Sequence, residues 1–336
     1  MPPPTITVLG AGSWGTALAI LLARNGISTA LWSHNPEHAA RMRAERQNPH
    51  YLPASHFPPA LEVTADFSQA VRSTTGAVLI AVPSHAFRET VEHLSALLSP
   101  DCGLIWATKG LDPKKGCLLH EVATEILGTK ATFAVLSGPT FAAEVAAGLP
   151  SALTVASTSV AFANRIVSWL HNTNFRAYTS DDIVGVQLGG ASKNVLAIAA
   201  GVADGLGYGA NARAALITRG LAEMMRLGIA MGARMETLTG LAGVGDLILT
   251  ATDNQSRNRR FGLGLGQGKS RTAVCSEIGQ EIEGILTARL VYELALRHGV
   301  EMPITTQVYR ILYEGLTPAE AVNNLLLREP KPERIT

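Results

Sequence analysis

The feature that most constrains this chain is Gly10-Ala11-Gly12-Ser13-Trp14-Gly15, a G-x-G-x-x-G run between an apolar stretch at 6–9 and a helical one at 16–25. Alone such a run is weak, but directly after a strand and at the opening of a helix it is informative. Gly10 permits the tight turn, Gly12 lets a pyrophosphate approach the backbone, and Gly15 lets the helix pack close to the strand. The helix N-terminus then turns unpaired N–H groups and a positive dipole end toward phosphates. Gly26 stands where the helix would end in a left-handed residue.

The rest of the first half alternates short apolar runs at 29–33, 77–82, 104–107, 133–136 and 152–155 with helical stretches. Continuous apolar strands separated by helices indicate a parallel sheet covered on both faces. From about residue 181 the strand signals end, and helices rich in small residues follow at 186–202, 212–231, 284–298 and 318–327. The expected fold is α/β: a Rossmann-type doubly wound sheet in an N-terminal domain, 1–180, followed by an all-α C-terminal domain, 181–336. A chain of 336 residues can bury a core in each.

Composition excludes several classes. With 28 basic and 27 acidic residues the chain has no global field to attract nucleic acid or acidic membranes. The apolar runs fall short of the ~18 residues of a membrane span. The opening Met1-Pro2-Pro3-Pro4 runs into a strand without the basic and apolar regions of a secretory leader. Cys102, Cys117 and Cys275 are scattered and lack zinc spacing, so no metal site is expected, and the thiols read as reduced and cytoplasmic.

In an open α/β sheet ligands bind beyond the carboxyl ends of the strands. The second strand ends Leu31-Trp32-Ser33-His34-Asn35, without the acid that would bind a ribose 2′-hydroxyl. Ser33 and His34 can donate to a 2′-phosphate, with Arg41 or Arg43 nearby, so NADPH is expected, with NADH alongside it. Later strand ends carry Pro83-Ser84-His85, Thr108-Lys109-Gly110 and Ser137-Gly138-Pro139-Thr140-Phe141-Ala142. Lys109 is the sharpest candidate there, as a cation able to hold an anionic substrate.

In the helical half, Gln187, Ser192, Lys193 and Asn194 interrupt an apolar helix, and Gly189 and Gly190 lie one turn before Lys193. A lysine desolvated among small apolar residues has a lowered pKa and can exchange a proton with a hydroxyl near neutral pH. Asp246, in Gly243-Val244-Gly245-Asp246-Leu247, needs a cationic partner, and Lys193 is the obvious one. Ser256, Arg257 and Asn258, within the polar run at 253–260, form a donor set suited to a phosphate. The glycine run Gly262-Leu263-Gly264-Leu265-Gly266 follows no strand and is set aside as a nucleotide site. Met224, Met225, Met231 and Met235 read as core filler.

Together these motifs resemble the bacterial NAD(P)-dependent glycerol-3-phosphate dehydrogenases over nearly the whole chain. The resemblance is carried by the glycine turn through Ala17, Ala107-Thr108-Lys109-Gly110, the 137–142 segment, 185–194, Gly209-Ala210-Asn211-Ala212-Arg213 and 253–260. It implies reversible reduction of dihydroxyacetone phosphate to sn-glycerol 3-phosphate for phospholipid synthesis. Lys193 matches the proton acceptor of the oxidation direction. Lys109, Gly138, Thr140, Asp246, Ser256, Arg257 and Asn258 match substrate contacts. Ser13, Trp14, His34, Lys109, Ala142, Arg257, Glu281 and Glu283 match cofactor positions, beside Gly10, Gly12 and Gly15 of the turn. Glu281 departs from the family, which usually has an apolar residue there. A homodimer is left open. A dehydrogenase of 3-hydroxy acids is the nearest rival. A dinucleotide-sensing module is a weaker one, since it has no need of Lys193, Asp246 and the Arg257 cluster together.

Overall fold

The structure, a computed structural model, describes residues 4–99 and 102–329. The first three residues, where the reading against a leader begins, lie outside the described residues. The chain divides into two compact units, one of Met1–Thr108 with Leu119–Ile183 and one of Lys109–Leu118 with Val184–Thr336. The excursion Lys109–Leu118, which precedes 181 in sequence, thus groups with the helical unit.

Among the described residues the first unit holds ten strands: β1 (Thr5–Leu9), β2 (Ser28–Trp32), β3 (Gln47–Asn48), β4 (Leu52–His56), β5 (Leu61–Thr64), β6 (Ala77–Ile80), β7 (Gly103–Trp106), β8 (Phe133–Ser137), β9 (Ser151–Ser157) and β10 (Phe175–Ser180). Eight form one sheet in the order β10-β9-β8-β7-β6-β1-β2-β5, and β3 and β4 form a separate hairpin. Alternate side chains reach the two faces. On β7, Ile105 joins the core that also holds Phe162 of the helix Val160–Leu170. Trp106 meets Phe87 of the helix Ser84–Ser95, with ring centroids 5.5 Å apart. Both faces are therefore covered by helices, which is why the central strands are apolar throughout.

β1 lies between β2 and β6, so the winding direction reverses beside it. That is the switch point where such sheets bind ligands. The sheet is not wholly parallel as expected, because β8 and β9 pair antiparallel, Ser137 opposite Thr154. A parallel return needs a crossover as long as the strand. The helix between them, Ala142–Ala147, has six residues. It rises roughly 9 Å, and the chain enters β9 from the end of β8 instead of crossing back to its start.

In the second unit the described secondary structure is helical apart from a single bridge, Leu111 with Leu118. Its central helix, Ile183–Gly205, is long and apolar enough to cross a membrane by length and composition, but 94% of the qualifying stretch is buried in the fold, as in a core helix. The helix Arg257–Gly266 crosses it with the backbones in contact. A Cβ on Gly201 would meet the Arg259 carbonyl oxygen at 2.1 Å, and one on Gly262 the Ile198 carbonyl oxygen at 2.0 Å. The glycine run at 262–266 therefore serves helix packing. Met224 and Met225 are buried as expected, whereas Met235 is exposed at the start of a new helical turn, Met235–Leu238.

Candidate active site

In the first unit the glycine turn has the shape its sequence requires. Gly10 has φ +114°, and a Cβ there would meet the Ala81 carbonyl oxygen at 2.8 Å. A Cβ on Gly15 would meet the Gly10 carbonyl oxygen at 1.9 Å. A Cβ on Gly12, the N-cap of the helix Ser13–Arg24, would meet nothing within 4 Å. Two glycines are thus needed for close packing. The third leaves open space above helix N–H groups, which fits a dinucleotide pyrophosphate. Ser13 Oγ donates to the Tyr51 carbonyl (2.9 Å), and the buried Trp14 Nε1 has no hydrogen-bond partner.

At the tip of β2, His34 is exposed, with its ring centroid 6.5 Å from that of Trp32. Ser33, expected beside it as a phosphate donor, is instead buried at 1% exposure, and its hydroxyl lies 3.3 Å from both the Asn35 carbonyl and His38 Nδ1. Arg41 pairs with Glu45 at 2.7 Å, and Arg43 donates to the Val63 carbonyl on β5 at 3.4 Å. At the end of β8, a Cβ on Gly138 would meet Leu153 Cα at 2.7 Å, and Thr140 Oγ1 donates to the Gly138 carbonyl (3.2 Å). Ala142 opens the helix Ala142–Ala147 and packs on the core of this unit.

In the second unit the structure brings Lys109, Lys193 and Asp246 together. Lys193 Nζ donates to Asp246 Oδ1 and, at 2.9 Å, to Thr250 Oγ1. Lys109 Nζ donates to the other carboxylate oxygen at 2.7 Å. Asp246 and Lys193 are 1% and 7% exposed. Burial is the largest influence on Lys193 and pulls its ammonium down to about 7, with Lys109 adding to the shift and Asp246 opposing it.

Local backbone explains the approach. A π-helical turn, Leu241–Gly245, runs into the helix Asp246–Thr252, and a Cβ on Gly189 would meet the Ala242 carbonyl oxygen at 2.4 Å. Gly189, one turn before Lys193, is what lets the core helix reach that turn. The excursion 109–118 is held by Arg297, which donates to the carbonyls of Lys115 (3.2 Å) and Gly116.

The donor run is the start of a helix. Ser256 N-caps Arg257–Gly266 by accepting from the Arg259 N–H at 3.2 Å, which leaves its own proton to donate. Asn258 Nδ2 donates to Asn194 Oδ1 (2.9 Å), next in sequence to Lys193, and Asn258 Oδ1 accepts from the Gly284 N–H (2.9 Å). Arg257 donates to the Glu281 carbonyl at 2.8 Å. Position 281 is thus engaged through its backbone while its side chain is exposed. Glu283 begins the helix Glu283–Arg297. Arg259 is a structural residue, bound to Asp204 (2.5 Å), Asn254 and the Ala251 carbonyl. Among the described residues no group of three or more His, Cys, Asp or Glu side chains could hold a metal ion.

Residues 5–163 match the family model for the N-terminus of NAD-dependent glycerol-3-phosphate dehydrogenase, and residues 182–323 match the model for its C-terminus. The chain belongs to this family. It is 70% identical over 328 residues to glycerol-3-phosphate dehydrogenase (NAD(P)+) of Methylococcus capsulatus, covering 98% of each chain. Against the enzyme of the same description from Thioalkalivibrio sulfidiphilus it is 56% identical, over 99% of this chain and 100% of the other. The crystal structure of glycerol-3-phosphate dehydrogenase from Coxiella burnetii superposes with a TM-score of 0.95 at 50% identity, covering 98% of this chain and 100% of that one. The family resemblance and the Rossmann-type fold read from the motifs are borne out.

Sequence reasoning did not single out Thr250 or Arg297. Thr250 lies four residues after Asp246 on one helix, a spacing that puts the two on one face and could have found it. Nothing in the sequence around Arg297 points to carbonyls 181 and 182 residues away.

Proposed function

We propose that this chain, as an NAD(P)-dependent glycerol-3-phosphate dehydrogenase, interconverts dihydroxyacetone phosphate and sn-glycerol 3-phosphate, with Lys193 as the proton-transfer residue. The observation that carries this reading is the buried carboxylate of Asp246 shared between Lys193 and Lys109. When bound, the nicotinamide supplies or accepts the hydride at C2 of the substrate. In the reduction direction the Lys193 ammonium gives its proton to the C2 oxygen, and in oxidation the neutral amine takes the proton back. A lysine brought to about 7 exists in both forms near neutral pH. Asp246 holds Lys193 in place, and Lys109 adds positive charge that stabilises the developing alkoxide.

The substrate phosphate is assigned to the N-terminus of the helix Arg257–Gly266, with Ser256, Arg257 and Asn258 as donors. A helix N-terminus and a guanidinium favour a dianion on the same electrostatic ground. Gly138 and Thr140 are assigned as further substrate contacts on the family resemblance. Gly10, Gly12, Ser13, Trp14, Gly15, His34 and Ala142 are assigned to the cofactor on the same ground, with Lys109, Arg257, Glu281 and Glu283. With His34 exposed and no acid from Trp32 to Asn35, NADPH is accepted as well as NADH. The product serves phospholipid synthesis. A cytoplasmic site accords with Cys102, Cys117 and Cys275, none of which is in a disulfide.

The test is loss of NADPH absorbance on adding dihydroxyacetone phosphate to the purified protein, with NADH in parallel and phosphate-free dihydroxyacetone as control. Oxidation that requires the phosphate supports the reading. A folded protein that oxidises neither cofactor overturns it.

A further inference from the structure

One buried polar network in the first unit is not used by the chemistry above. Asn48, on β3, is 0% exposed. Its Nδ2 lies 2.9 Å from the Ala11 carbonyl and 2.8 Å from Thr16 Oγ1, both in the glycine turn and its helix. Its Oδ1 lies 3.1 Å from the Tyr51 N–H. A carbonyl only accepts and a backbone N–H only donates, so the two contacts fix the orientation of the amide. His38 Nε2 stands 3.1 Å from the same Oδ1 and must carry the proton there. In the neutral ring Nδ1 is then an acceptor, 3.3 Å from Ser33 Oγ at the tip of β2. Ser33 Oγ in turn lies 3.4 Å from the Asn35 N–H, and Asn35 Oδ1 caps the next helix at the His38 N–H, 3.0 Å. The ring edge of His38 rests on Tyr51, centroids 5.7 Å apart.

The chain Ala11–Asn48–His38–Ser33 therefore ties the turn that holds a pyrophosphate to the strand tip that meets the ribose 2′ position. We propose that His38 and Asn48 are positioning residues that hold the β2 tip, and with it His34, in register with the glycine turn, and that they set the discrimination between a 2′-phosphate and a 2′-hydroxyl. This rests on the cofactor reading above. Ser33 spends its hydroxyl inside the fold, so the tip presents His34 and backbone, and their placement depends on the His38 link. A 2′-phosphate makes charged contacts at the tip and is sensitive to its position, whereas a 2′-hydroxyl takes less of its binding from there.

The test is calorimetric binding of NADPH and of NADH, without substrate, to the wild type, H38F, S33A and the double variant. Phenylalanine keeps the ring contact with Tyr51 and removes both polar links, and S33A breaks the link by the smallest change should H38F fail to fold. The expected result is that each single variant weakens NADPH by about fivefold, one hydrogen bond's worth, and NADH by less than about twofold. The double variant is expected to be no weaker than either single one, because both cut the same chain. Equal weakening of both dinucleotides, additive effects, or no change in either overturns the proposal while leaving the cofactor reading intact. A wild type that binds neither dinucleotide overturns both.

Discussion

Lys193 and Asp246 form an ion pair inside the helical unit, and the second carboxylate oxygen of Asp246 holds Lys109 at 2.7 Å. Two ammonium groups share one carboxylate, so the trio carries one unit of excess positive charge if both lysines are protonated. Release of one proton removes that excess. Lys193, the more buried lysine, is the one whose ammonium is brought down to about 7.

This sets a pH dependence. Reduction needs protonated Lys193, so kcat in that direction is expected to fall as pH rises through about 7, and kcat for oxidation to rise over the same range. K193A should lose ~10²–10⁴ of kcat in either direction and the pH-dependent limb with it. Turnover across pH, with circular dichroism to verify folding, checks both. A K193A enzyme with near-normal kcat would rule out the assignment.

D246N removes the shared carboxylate and leaves two like charges side by side. Lys193 should titrate lower still, moving the fall in reduction rate to more acidic pH. Breaking a buried pair from one side typically costs ~3–5 kcal/mol, to be read from urea unfolding at pH 6. An unchanged pH profile would show that Asp246 does not tune Lys193.

Gly189 lets the core helix approach the Leu241–Gly245 turn. In G189A the new methyl meets the Ala242 carbonyl oxygen at 2.4 Å, so the turn must move and carry Asp246 with it. We expect a loss of ~1–3 kcal/mol of stability together with a fall in kcat. The same methyl on Gly207, which meets nothing within 4 Å but has φ +83°, should cost stability alone.

Arg257 has its guanidinium oriented by the Glu281 carbonyl. R257A is expected to raise KM for dihydroxyacetone phosphate ~10–100-fold, the worth of a charged hydrogen bond, with a smaller change in kcat. KM for the dinucleotide, which Arg257 is also assigned to contact, should rise by a smaller factor. An unchanged KM for dihydroxyacetone phosphate would place Arg257 outside the phosphate site.

Glu223 is 2% exposed and accepts hydrogen bonds from the N–H groups of Ile304 (2.5 Å) and Thr305 (3.1 Å) at the start of the helix Pro303–Tyr313. Burial outweighs these donors and pushes its carboxyl up to about 7 from 4.5. Between those values the folded chain binds the proton that the unfolded chain has released, so this group's contribution to stability is lost as pH rises from about 4.5 to about 7. E223Q should flatten that slope in denaturant titrations at pH 5 and 7.5. An unaltered slope would assign the pH dependence elsewhere.

The glycine turn, the apolar strands and the long helices were legible because their physics is local. Gly10, Gly12 and Gly15 answer to the backbone of six consecutive residues, and apolar periodicity marks which segments are buried. The helix Ile183–Gly205 shows three more residues at each end than its expected 186–202, since helix ends depend on capping. Lys193 and Asp246 could be named because a small apolar setting around a charge demands a partner. The pairing of β8 with β9, the seating of 109–118 in the helical unit and the burial of Ser33 were not legible. Each depends on what another segment places alongside.

The sequence by itself therefore determined the kinds of element, the glycine turn and the charged residues that need buried partners. Tertiary structure alone decided that Lys109, 137 residues from Asp246, completes the charge trio, and that His38 and Asn48 join the glycine turn to the tip of β2. Contacts across such separations are selected by packing and by polar groups that must be satisfied once buried, and no short stretch of sequence encodes either.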